Sequence, residues 1–110
     1  MMHRARWRPR PQPGKMNALE ARYGLWLEAE KREGRIHWYK FEGIKLRLAD
    51  STFYTPDYFV VNAAGELEAH ECKGHWEDDA RVKIKVAASL YPFRFIAIKP
   101  SLKGWEVEEF

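Results

Sequence analysis

Pro56-Asp57 and Glu71-Cys72-Lys73 are the residues of this chain whose types and spacing suit chemistry. They fall in two β-forming runs, FYTPDYFVV over 53–61 and ELEAHECK over 66–73, and the turn Asn62-Ala-Ala-Gly65 between them can set the runs side by side. Residues two apart in a strand project to one face, so Glu71 and Lys73 point one way and His70 and Cys72 the other. Two carboxylates and an ammonium can thereby converge. Charges placed in apolar strands are costly to bury unless they pair or bind a cation. Carboxylate oxygens are the ligands Mg²⁺ prefers, with water and substrate phosphate completing its shell. A cation held there can activate water and stabilise phosphate charge, and Lys73 can orient that water or neutralise the developing charge. The competing reading of the same residues is an ion pair on the solvated face of a sheet.

The elements that must position these residues are legible around them. From Asn17 to about Glu33, Leu19, Tyr23, Trp26 and Leu27 recur at helical spacing, and Gly34 follows as a stop. Residues 36–48 read as a strand whose apolar phase shifts from Tyr39 and Phe41 to Ile44, Leu46 and Leu48, which points to a bulge or bend near Gly43. With the two runs above, and a turn at Asp50-Ser51, this makes an antiparallel meander. Asp78-Asp79 open a second helix with Val82, Val86 and Leu90 on one stripe, closed by Pro92. FRFIAIK over 93–99 reads as a buried strand reached by a helical crossover, and 105–110 as a further edge strand. The expected fold is α/β (α+β): order α-β-β-β-α-β, one central mixed sheet flanked by helices.

At 110 residues the chain is about one compact domain, expected over 16–110, and 45% hydrophobic with 15% aromatic residues excludes a disordered chain. No apolar run approaches the roughly 20 residues of a membrane span, and no secretory apolar segment opens the chain. The expected compartment is therefore the cytoplasm, and the single cysteine, Cys72, which cannot form an internal disulfide, agrees with a reducing environment. The net charge of +3 is concentrated in residues 1–15, where Arg4, Arg6, Arg8, Arg10 and Lys15 occur with no acid. Pro9, Pro11, Pro13 and Gly14 make that stretch a poor candidate for regular structure. Such an arm suits the phosphate backbone of nucleic acid; a solvated leader, or a start at Met16, fits equally.

Pro56-Asp57 followed by Glu71-x-Lys73 resembles the signature of the PD-(D/E)xK nuclease superfamily, whose restriction-endonuclease-like core has the same element order. The stretches LEARY, FYTPDY, ECKG and DDARVKIKVAA, over residues 17–99, resemble small phage and prophage endonucleases akin to Holliday junction resolvases. The resemblance implies a metal-dependent DNA endonuclease using Mg²⁺, with Mn²⁺ as substitute. Asp57, Glu71 and the backbone carbonyl of Cys72 would be metal ligands, and Lys73 would serve the nucleophilic water. Glu20 matches the glutamate that many members add from the first helix, although Asn17 and Glu20 also fit a capping box. Lys83 or Lys85 matches a basic helix residue that reaches the phosphate, Arg81 lies one turn from Lys85, and a solvated charged face explains all three as well. His75 and Trp76 flank the site and are suited to stacking on bases or sugars; Tyr54 reads as packing. His70, Cys72 and His75 leave a zinc site one ligand short. Branched DNA is the substrate implied, and two symmetric cuts imply a twofold homodimer. Alternatives are an endonuclease without structural selectivity and an inactive nucleic-acid-binding module.

Overall fold

Asn17 starts the first helix, α1 (Ala18–Arg32), through a reciprocal capping box. Its side chain accepts from the Glu20 amide at 2.8 Å, and Glu20 Oε1 accepts from the Asn17 amide at 2.9 Å, which satisfies two amides that the first turn leaves open. Gly34, at φ +79°, takes the left-handed conformation that turns the chain out of the helix. After it come β1 (Ile36–Phe41), β2 (Leu46–Ala49), β3 (Thr52–Tyr54), β4 (Tyr58–Asn62), β5 (Leu67–Cys72), α2 (Asp78–Leu90), β6 (Arg94–Ser101) and β7 (Gly104–Glu109). This computed structural model describes residues 15–75 and 78–110.

Five strands form one mixed sheet in the order β1-β4-β5-β6-β7. β1, β4 and β5 are the expected antiparallel meander, β5 and β6 run parallel across the α2 crossover, and β7 is the expected edge strand, antiparallel to β6. The run expected over 36–48 is two strands rather than one bulged strand. Glu42 adopts φ +49° and donates its amide to the Asp57 carbonyl at 2.8 Å, and the chain there leaves the sheet to form the separate β2–β3 hairpin. The run expected over 53–61 divides likewise, so Pro56-Asp57 lie in the bend before β4 and not inside a strand. The apolar phase shift near Gly43 was the trace of this departure.

The sheet is packed on both faces. On one, Tyr23 and Leu27 of α1 close on Tyr58, Val60, Cys72, Ile96 and Ile98; on the other, Ile84 and Ala87 of α2 join Leu46 and Tyr54 of the hairpin, Ala69 and Phe95. Burying each large apolar side chain contributes about 1.5–3 kcal/mol. The stripe expected to dock α2 is corrected: Val82, Val86 and Leu90 are 57%, 38% and 52% exposed, whereas Ile84 and Ala87 are buried. The face of α2 that meets the hairpin and β6 is the one bearing Ile84 and Ala87. Close approach also governs α1, where a Cβ on Gly24 would collide with the Tyr58 hydroxyl, which donates to the Glu20 carbonyl at 2.8 Å. No described helix is long and apolar enough to cross a membrane.

Candidate active site

Three elements bring carboxylates to one end of the sheet. Glu20 comes from the first turn of α1, Asp57 from the bend before β4, and Glu71 from the end of β5; they are 5%, 1% and 5% exposed. The β4–β5 ladder ends at Tyr58 opposite His70, and Asp57 Oδ2 extends it by accepting the Cys72 amide at 2.8 Å. Asp57 also shares a hydrogen bond with the Glu20 carboxylate. Burial, reinforced by the charge of Glu71 and by the bond and charge of Glu20, pushes Asp57 up to about 9, against the lowering from the Cys72 amide. Asp57 therefore keeps its proton near neutral pH and donates it to Glu20. The capping box and the placement of Glu20 against Asp57 are both present.

Glu71 is held from two sides. The Tyr54 hydroxyl donates to Glu71 Oε1 at 2.7 Å, and Lys73 Nζ stands 3.5 Å from Glu71 Oε2 with the lysine side chain 36% exposed. Tyr54 was expected only to pack; its spacing before Asp57 in FYTPDY was the available signal, because the β2–β3 hairpin that turns it inward could not be read locally. Strand alternation separates the neighbours of Glu71 as expected. His70 Nδ1 meets the Tyr23 hydroxyl at 2.8 Å and His70 Nε2 meets Glu68 Oε1 at 2.8 Å, so both ring nitrogens are engaged on the α1 face. Burial, with the charges of Asp57 and Glu71 added, drives the Cys72 thiol above its ordinary value and leaves it a poor nucleophile.

Among the described residues, no group of three or more His, Cys, Asp and Glu is placed so that it could hold a metal ion. The donors nevertheless fit Mg²⁺ in kind. That ion is held by one or two carboxylates plus water and phosphate, and seldom by a complete protein cage. The Cys72 amide points toward Asp57, and in a strand the carbonyl of a residue projects to the same side as its N–H, so the Cys72 carbonyl also faces this corner.

The basic residues divide. Arg81 turns inward and grips Glu108 of β7 through both guanidinium nitrogens at 3.0 and 2.7 Å, while Lys83 and Lys85 are exposed on α2. His75 is exposed beyond Lys73. Trp76, Arg4, Arg6, Arg8 and Arg10 lie outside the described residues.

The fold and the corner together define an α+β protein, a five-stranded mixed sheet between two helices with a carboxylate–lysine cluster where β5 ends. No family model, curated protein or solved structure matches the chain.

Proposed function

We infer that this chain is a metal-dependent DNA endonuclease of the PD-(D/E)xK type, with a restriction-endonuclease-like core. The observation that carries the reading is the convergence of Glu20, Asp57 and Glu71 from three separate elements beside Lys73. Asp57 is buried within the electrostatic reach of two further buried carboxyls, Glu20 and Glu71, which raises its cost of ionising, and a fold built for stability alone gains nothing from assembling them. The meander followed by a helical crossover supports the same reading, since it is the element order the motif resemblance implies.

In this reading Asp57, Glu71 and the Cys72 carbonyl bind Mg²⁺, or Mn²⁺ in its place, and Glu20 completes the acidic wall. The bound ion supplies a water of lowered pKa and charge stabilisation on the scissile phosphate. Asp57 must shed its proton to serve as a ligand, and Tyr54 fixes the orientation of Glu71 as it does so. Lys73, anchored on Glu71 and open to solvent, orients the attacking water and offsets the charge that grows on the phosphate. Branched DNA is the proposed substrate and the cytoplasm of a phage-infected or prokaryotic cell the proposed setting. Paired cuts require two copies of the site, which a twofold homodimer supplies.

The test is cleavage of a labelled four-way junction and its matched linear duplex with Mg²⁺, using wild type, Asp57→Ala and Lys73→Ala. Junction-selective cutting lost in both variants is the expected result. Equal cutting of both substrates keeps the active site and removes the selectivity. Binding without metal-dependent cleavage reduces the chain to a nucleic-acid-binding module.

A further inference from the structure

Lys99 closes the apolar run FRFIAIK in the sequence and belongs to no motif. Its position depends on β5–β6 pairing. Glu71 and Ala97 are register partners, and the ladder continues past the end of β5, with the Lys73 amide donating to the Ile98 carbonyl at 2.9 Å. One step further along each strand, Lys73 and Lys99 stand side by side, about 4.8 Å apart at the backbone. Alternation places both on the face that carries Glu71 and Ala97.

Beside this pair lies a cavity of ≈ 390 Å³ lined by Arg81, Ala97, Lys99, Glu106, Val107 and Glu108. Its volume lies within the range of pockets that hold small ligands. Glu108 is neutralised by the two-pronged grip of Arg81, which leaves Lys99 and Glu106 as the opposed charges. Glu106 sits on the edge strand β7 and Lys99 on the inner strand β6, so the cation is the one nearer Lys73. Among the described residues Lys99 has no ion-pair partner, and its side chain is exposed.

The geometry points to a second phosphate site: Lys99, in the cavity between α2 and β6–β7, holds a phosphate of the DNA backbone next to the one at Lys73. The inference rests on the nuclease reading of the adjoining corner and deepens it, because two lysines on neighbouring strands set the direction in which the bound strand crosses the sheet. A phosphodiester backbone is the chemistry recognised; no base is read.

The experiment measures binding of a fluorescent DNA duplex to the full chain in EDTA between 50 and 200 mM salt. Wild type is compared with Lys99→Met and with Lys31→Met, which removes the same charge from the exposed end of α1. Thermal melts of each variant establish that the fold is intact. Each phosphate contact contributes about 0.9 to the slope of log K against log salt. Lys99→Met is expected to lower that slope by about one and weaken binding about tenfold, while Lys31→Met leaves both unchanged. Equal effects of the two substitutions would overturn the inference. Mg²⁺-dependent cleavage by wild type, lost in Asp57→Asn, is scored separately. Cleavage with an unchanged Lys99→Met slope retires the Lys99 site alone. A lowered slope without cleavage retires the nuclease and leaves a phosphate-binding cleft. Absence of DNA binding retires both.

Discussion

Asp57→Asn should make the metal-free protein more stable while abolishing the proposed nuclease activity. In the fold Asp57 holds its proton up to about pH 9, whereas in the unfolded chain it loses it near its ordinary value of 3.8. Across that window the unfolded chain binds fewer protons than the native one, so stability falls as pH rises and recovers as pH falls toward 4. The slope has a ceiling of about 1.4 kcal/mol per pH unit, or roughly 4 kcal/mol between pH 5 and 8. Relaxation around the neighbouring carboxylates will absorb part of this, and half of it, about 2 kcal/mol, still moves Tm by on the order of 10 °C in a domain of this size. Asparagine retains an oxygen to accept the Cys72 amide but has no proton to lose. Thermal melts in EDTA should therefore show Asp57→Asn ahead of wild type at pH 8, with the gap closing toward pH 5. Mg²⁺ should raise the Tm of wild type and not of the variant. A variant less stable than wild type at pH 8, or a gap that does not change with pH, would refute the account of Asp57 as a carboxyl strained by burial and by its acidic neighbours.

If Asp57 is a metal ligand as proposed, the same linkage predicts that the proposed cleavage at limiting Mg²⁺ rises with pH and that its apparent pKa falls as Mg²⁺ increases, because metal binding would have to displace the Asp57 proton; a pH–rate series at several metal concentrations reads it. Lys73→Met should lower kcat by about 10²–10³, as loss of a transition-state donor does, while Mg²⁺ binding followed by calorimetry is not weakened. Tyr54→Phe, which removes only the hydroxyl on Glu71, should weaken metal affinity about tenfold with the fold retained by circular dichroism. Gly24→Ala would stabilise an open helix by up to about 1 kcal/mol. Here it should instead cost about 1–3 kcal/mol, seen as a lower Tm, because the added methyl meets the Tyr58 hydroxyl and pushes α1, with Glu20, off the sheet.

Much of the site was legible locally because it depends on the period of a strand. Glu71 and Lys73 share a face, His70 and Cys72 take the other, and the turn at 62–65 pairs β4 with β5, all of which follow from alternation and turn chemistry. The start of α1 was equally local, since the capping box is written in Asn17 and Glu20. The inward stripe of α2 is not legible locally: Val82, Val86 and Leu90 have helical spacing and are as apolar as Ile84 and more so than Ala87, so only the packing of the hairpin and β6 decides which face is covered.

By itself the sequence determined the meander, the crossover, the edge strand and which charges could meet on one strand face, since each is decided by residues a few positions apart. Only the tertiary structure decided that Tyr54 would reach Glu71 from an extra hairpin, that Glu20 would meet Asp57, and that Lys99 would stand beside Lys73. Those contacts join residues 17, 37 and 26 positions apart in the chain. No period relates such residues; packing on the two faces of one sheet brings them together.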